Sequence, residues 1–431
     1  GSTLTLGSSG KTVTLASGAS QSGFGRTGTV NWQTSIKTST ITVVDGEGYF
    51  VDTSSGAITA NLPAGTAGSI AAFRDYANTF DTNKLTISAN GSQKINGGTL
   101  DLEVSTEGES LTLVYADDTK GWLVVNDGNN DAGSQAEFVA ATGGTITTVC
   151  TNFKVHTFTG PGTFEVTSAG NATGSNSVDY LVVAGGGGGA RGSSNGSGGG
   201  AGGYRESGGT ASGCYAVSPL GSSPSSVAAV PVTATSFPIV VGGGGAGSPV
   251  GGTGSQGSTS SGLSISSAGG GGGGAHGTPT AQPGGNGGSG GGGGGPGGSA
   301  GSGNTPPVSP PQGNNGGVAP TGGPQAGGGG ATAVGGNGNP SPGNASGAGG
   351  AGATSSINGT PTTRAGGGGG GHDSNTAGAG GSGGGGNGSP NNAPGGAGTA
   401  NTGGGGGGNG PINGLGGAGG SGIVIIRYKF Q

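Results

Sequence analysis

Few residues in this chain could perform covalent or metal chemistry, and their spacing is wrong for most of it. Asp127–Asp131, DGNND, puts acidic or amide oxygens at every second position, as a calcium loop does, but no glycine follows at the sixth position and no glutamate at the twelfth. It reads as a solvated turn. His156, His276 and His372 are far apart, and no nucleophile, base and orienting group accompany them. Asp117 and Asp118 fall in a turn and read as surface. No glycine run has the strand–GxxxxGK[ST]–helix setting of a phosphate loop. Cys150 and Cys214 are too few for a disulfide framework or a zinc site, so both are expected to be small apolar side chains. No enzyme and no cofactor are expected.

Binding is the chemistry left. Beyond residue 200, side chains suited to recognition are scarce: Tyr204, Arg205, Tyr215, His276, Arg364, His372 and Asp373, all set among glycine runs. If they lie in loops on a rigid scaffold, they form a recognition surface, because binding concentrates on such loops and Tyr and Arg are favoured anchors. Alternatively, Tyr204 and Arg205 lock the base of the glycine-rich region. Which loops face outward is left open by the sequence.

The scaffold question turns on glycine. Of 120 glycines, 25 lie in residues 1–184 and 95 in the remaining 247. Charge does the reverse: between Ser207 and Ile426 the formally charged residues are Arg364 and Asp373. Disordered segments usually stay soluble through charge, which this region lacks. The net charge of −5 and scattered basic residues give no cationic surface for nucleic acid. No apolar run approaches the length of a transmembrane helix, so membrane insertion is not expected. Methionine is absent even at position 1, and the chain is expected to begin inside a longer gene product.

The first half has β texture. Residues 2–16 alternate polar and apolar and suit a fibre-shaft segment, 1–34, that leans on other copies. Residues 35–133 read as a sandwich- or barrel-like domain. It has short strands near Asp45-Gly46 and Ser54–Gly56, a hairpin in NKLTISANGSQKINGG, and another turning at Asp117–Gly121. Leu111, Leu113, Tyr115, Trp122 and Val124 would form one buried face. Residues 134–177 are expected to be a connector, with FKVHTFTGPGTFEVT a hairpin turning at Thr159–Gly162.

From residue 178 to 431 the glycine runs begin after the strand-like VDYLVVA and end at GIVIIRYKF. They lack the every-third-residue glycine of collagen. Polyproline-II strands make no internal hydrogen bonds and point their N–H and C=O groups outward. Bundled closely, such strands could bond to one another, but only without Cβ atoms between them. Gly185, Gly187, Gly271, Gly369 and Gly405 are taken as lattice positions. The expected fold is therefore all-β modules followed by a polyglycine-II helix sandwich, essentially without α-helix.

DYLVVAGGGGGARG, GGGAGGYRE, FPIVVGGGGAG and SGIVIIRYKF, with GEGYFVDTSSGAITANLPAGTAGSIAAFRDYA upstream, resemble tail-fibre receptor-binding proteins of tailed bacteriophages, marine and cyanophage types included. The resemblance implies a virion tail-fibre adhesin whose loops, displayed on a polyglycine-II sandwich, bind a host cell-surface receptor, either an outer-membrane protein or a polysaccharide. It also implies other virion tail proteins as partners and a homotrimer. The tip adhesins of long tail fibres lack the β-rich first half seen here. Two alternatives stand beside this reading, a glycine-rich extracellular filament or surface coat and an ice-binding polyglycine-II protein.

Overall fold

A computed structural model describes residues 30–431 except 128–135, 173, 214, 223–226, 250, 278–281, 341–343, 374–375, 392 and 411–413. Most of the expected shaft segment, most of the Asp127–Asp131 loop and Cys214 thus lie outside the described residues. The described chain is all-β, without a helix, and contacts divide it after Ala136 into two units.

In the first unit, β1 (Asn31–Lys37), β3 (Glu47–Val51), β5 (Ile70–Asp75), β8 (Ser110–Asp117) and β9 (Gly121–Asp127) form one sheet in that order. β2 (Ile41–Thr42), β4 (Ile58–Asn61), β6 (Leu85–Ser88) and β7 (Leu102–Val104) form another. The chain alternates between the sheets, so β1, β3 and β5 pair in parallel, as do β2, β4 and β6. The β8–β9 hairpin forms with Asp117 opposite Gly121, as its turn signal predicts. The expected hairpin within 83–98 does not form, because β6 pairs with β7 instead. Leu111, Leu113, Tyr115 and Trp122 are buried in the core, with Val124 packed against it.

The second unit opens with β10 (Val139–Thr142), β11 (Thr145–Val149), β12 (Phe153–Phe158), β13 (Gly162–Ala169) and β14 (Ser177–Val183). Short strands follow: β15 (Tyr204–Glu206), β16 (Val230–Pro231), β17 (Ser236–Ile239), β18 (Ser260–Gly262), β19 (Ile265–Ser267), β20 (Ala353–Ser355) and β21 (Thr362–Arg364). β22 (Ile423–Lys429) closes the unit. The hairpin expected across Thr159–Gly162 is instead an arch. β12 joins the sheet β11-β12-β22-β14-β15, and β13 joins β10-β13-β17. The reason is burial: Phe158 on one arm and Phe164 and Val166 on the other all enter one core, which a flat hairpin could not arrange. Cys150, just after β11, is exposed rather than buried.

β14 and β22 pair antiparallel at the centre of that sheet and are apolar on both faces because both faces are covered. Val178, Tyr180, Val182, Val424, Ile426 and Tyr428 face the second sheet. Leu181, Val183, Ile423 and Ile425 face the glycine-rich region, against Ala201, Ala331, Ala353, Ile357 and Ala365.

That region has no strand assignment over most of its length, yet it is densely bonded. The N–H groups of 185 and 188 go to the run at 255–258, those of 186 and 189 to 417–420, and those of 187 and 190 to 197–200. Donors of 198 and 201, 199 and 202, and 200 and 203 likewise address three separate runs. The same three-residue period recurs over 366–371. A Cβ built on Gly185, Gly187, Gly271, Gly369 or Gly405 would lie 1.9–2.1 Å from a carbonyl oxygen of another run. None of the five has positive φ, so the missing side chain, not backbone freedom, is what these positions require.

Candidate functional site

Successive runs reverse direction: the N–H groups of Ala184, Gly187 and Ala190 bond to the carbonyls of Gly203, Gly200 and Ser197 in turn. The turns therefore gather at two ends. One adjoins β14, β15, β20 and β22, where Gly203 bonds to Ala268, Ala331 to Ala365, and Gly422 to Gly242. The other lies a full run away, where Gly196 bonds to Asn409, Ser193 to His276, and His372 to Ser389. The runs thereby sort the candidate recognition residues into two groups.

Four of them belong to the sheet end. Tyr204 and Arg205 are on β15 and Arg364 is on β21, which corrects the expectation that they sit in loops. Tyr204 and Arg364 are buried, and the Tyr204 hydroxyl donates to Glu206 Oε2 at 2.9 Å. Glu206 also accepts the Ser218 N–H at 3.1 Å and the Ser355 hydroxyl. Burial raises its carboxyl above the usual range, pushes the Tyr204 phenol well up and disfavours the charged form of Arg364. Arg205 lies beside this network and donates from Nη1 to Ser266 O at 3.3 Å. The Tyr215 ring lies 4.9 Å from the guanidinium of fully buried Arg427, whose Nη1 and Nη2 donate to Ile357 O and Gly213 O. Asp179 accepts from Ser207 Oγ, Ser212 N and Ser212 Oγ at 2.6–2.8 Å. These groups fasten the long segment after β15 to the sheet, although the Tyr215 hydroxyl, Ser218 Oγ, Arg364 Nη1 and Arg427 Nε are buried there without a hydrogen-bond partner.

His276, His372 and Asp373 belong to the far end, and the structure brings them together. With Ser194, Asn195, Gln325 and Asn344 they line a hollow of about 310 Å³, flanked by Pro296 and Pro324. His372 is buried, its Nδ1 2.9 Å from Oδ1 of exposed Asp373, and its backbone N–H donates to Ser389 O at 3.0 Å. His276 holds the neighbouring loop: its carbonyl accepts from Ser193 N at 3.1 Å, and its own N–H donates to Asn195 O at 3.3 Å. Gln325 Oε1 accepts from Gly295 N at 2.9 Å and from Ser197 Oγ at 3.2 Å, which fixes the side chain and leaves its amide N–H groups as its remaining chemistry. Asn195 is 8% exposed, and its Oδ1 is buried without a hydrogen-bond partner. Arg191, at the end of the first run, donates through Nη1 to Pro249 O and ties two far-end loops.

Sequence reasoning missed Asn195, Gln325 and Asn344, since asparagine and glutamine are commonplace in this composition. One signal was available: His276, His372 and Asn409 each close an outbound glycine run, directly or after a single alanine. Among the described residues no group of three His, Cys, Asp or Glu is placed to hold a metal, and no helix is long and apolar enough to cross a membrane.

The family model of the glycine-rich domain matches residues 157–429. It thus spans β13 to β22, both ends of the glycine-rich region and the hollow, and leaves out β10, β11 and most of β12. A search of curated proteins found no match.

Proposed function

Because the chain belongs to the glycine-rich domain family, we propose that its second unit is a polyglycine-II sandwich that presents a recognition surface at its far end. The three-residue donor period supports the sandwich, since polyproline-II strands have three residues per turn and no internal hydrogen bonds. The observation that carries the function is the partition of side chains. The runs carry almost no recognition chemistry, the sheet end buries Tyr204, Arg364 and Arg427 in its own packing, and the far end gathers His276, His372 and Asp373 around an open hollow. A rigid lattice with chemistry confined to the loops at one end is the build of a binding head.

With the resemblance of its segments to tail fibres, this supports a non-enzymatic virion adhesin that attaches to a host cell-surface receptor. In that reading the chain works as a homotrimer joined to other tail proteins. Labelled chain should adsorb to host bacteria, and the double variant His276→Ala, Asp373→Ala, which spares buried His372, should lose adsorption while melting close to wild type. Arg205→Ala, at the sheet end, should adsorb normally. Normal adsorption by the far-end variant would sink the assignment, and concentration-dependent end-to-end association without adsorption would favour a filament.

A further inference from the structure

We propose that the far-end hollow is a saccharide site, taking a neutral or amine-bearing terminal sugar of the cell surface; this rests on the recognition reading above and specifies its ligand. Three side chains that line the hollow are more than nine-tenths buried: Asn195, Gln325 and His372. Buried polar atoms in proteins are nearly always paired, and leaving one unpaired is costly. Asn195 Oδ1 is buried and unpaired, and a small shift of this side chain toward the hollow it lines would let a ligand hydroxyl or ammonium donate to it. Gln325, its oxygen already taken by two donors, offers N–H groups to a ligand oxygen. Asp373 adds an exposed carboxylate acceptor, steadied by His372. Donors and acceptors thus alternate around one small space, as a polyol demands, because each sugar hydroxyl both gives and takes a hydrogen bond.

Other ligand classes fit less well. No Lys or Arg lines the hollow, and its one formal charge is negative, so a phosphate or a sialic-type carboxylate would meet repulsion. No Phe, Tyr, Trp or large aliphatic side chain lines it either, so a protein loop would find no apolar anchor of the kind that dominates protein–protein hot spots. At about 310 Å³ it is at the small end of ligand pockets, with space for a chain terminus rather than a polymer. Pro296 and Pro324 offer short apolar faces on which a sugar ring can rest.

The test uses the full chain on a printed array of neutral, amine-bearing and sialylated oligosaccharides, beside adsorption to bacteria. Binding is expected to neutral or amine-bearing termini and not to sialylated ones. Asn195→Ala should reduce that binding at least tenfold, while its melting temperature stays level or rises because a buried unpaired oxygen is removed. Asp373→Asn, at an exposed position, should weaken amine-bearing ligands more than neutral ones. Array binding that survives both variants overturns the proposal, as does binding confined to sialylated termini. No binding to the array also overturns it. The adsorption arm then separates the two levels: cells still bound through the far end leave recognition standing with a protein receptor, whereas no adsorption removes both.

Discussion

Gly187→Ala puts the glycine lattice to its sharpest test. Gly187 donates to Gly200 O at 2.8 Å, and a Cβ on it would sit 2.1 Å from Gly271 O, about 1.3 Å inside ordinary contact. The obstacle is backbone and cannot rotate away. Pushing the run that holds Gly271 outward would stretch its bonds from Gly271 N to Ser289 O and from Gly270 N to Gly185 O, both 2.9 Å, and from Gly200 N to Gly271 O at 2.8 Å. Overpacking costs roughly 1–3 kcal/mol and each buried group left unpaired roughly 1–3 kcal/mol. The stiffer unfolded chain of alanine returns only about 0.4–1 kcal/mol. A net loss of roughly 3 kcal/mol follows from these terms. Gly243→Ala is the matched control: its Cβ would meet nothing within 4 Å and its φ is not positive, so the unfolded-state gain of about 0.4–1 kcal/mol should stand alone. Both tryptophans, Trp32 and Trp122, lie in the first unit, so their fluorescence reports that unit. Hydrogen exchange over 185–422, read by mass spectrometry, reports the lattice. Exchange there should rise in Gly187→Ala and stay level or slow in Gly243→Ala. In a flexible linker the two alanines would behave alike, and that outcome would refute the close-packing argument.

Other predictions address the sheets. His156 is fully buried, with Nδ1 2.7 Å from Gly143 O and Nε2 3.0 Å from the Tyr428 hydroxyl, and burial holds its pKa below the usual 6.5. The unfolded chain binds the proton more readily, so this contribution is complete above pH 6.5 and is lost as pH falls below that value. Melting curves of the second unit at pH 7.5 and pH 5 should show the loss, and His156→Gln should shrink it; an unchanged pH dependence would remove His156 as the cause. Asp179→Asn weakens charge-assisted bonds to Ser207 and Ser212 and should cost roughly 2 kcal/mol in denaturant melts; a cost within about 0.5 kcal/mol, the range of ordinary surface substitutions, would mean that the segment after β15 is held elsewhere. Gly121→Ala adds a Cβ 1.9 Å from Lys94 O at a φ of +72°. It should lower the melting point of the first unit as followed by Trp122 fluorescence, and an unshifted transition would contradict the assigned turn.

The sequence by itself determined the local terms. Period-two patterning put Leu111, Leu113 and Tyr115 on one face of β8, and the turn residues at Asp117–Gly121 closed its hairpin. The apolar content of 178–184 and 423–430 marked both as buried strands at the borders of the glycine region, and the glycine runs marked where most positions leave no room for a Cβ. Tertiary structure decided every question of partner. Alternation states which face of a strand is buried but not which strand lies beside it. Hence Thr159–Gly162, read as a hairpin, is an arch between two sheets, and the strands of the first unit pair in parallel across intervening ones. The glycine runs carry even less addressing information, since every run offers the same N–H and C=O groups; their neighbours follow from where each turn sends the chain back. That same reversal sorted the candidate residues. Tyr204, Arg205, Tyr215 and Arg364 went to the sheet end, and His276, His372 and Asp373 met at the hollow beside Asn195 and Gln325. Proximity among residues tens to more than a hundred positions apart arises from the folded path, because the chain between them carries no local interaction that could encode it.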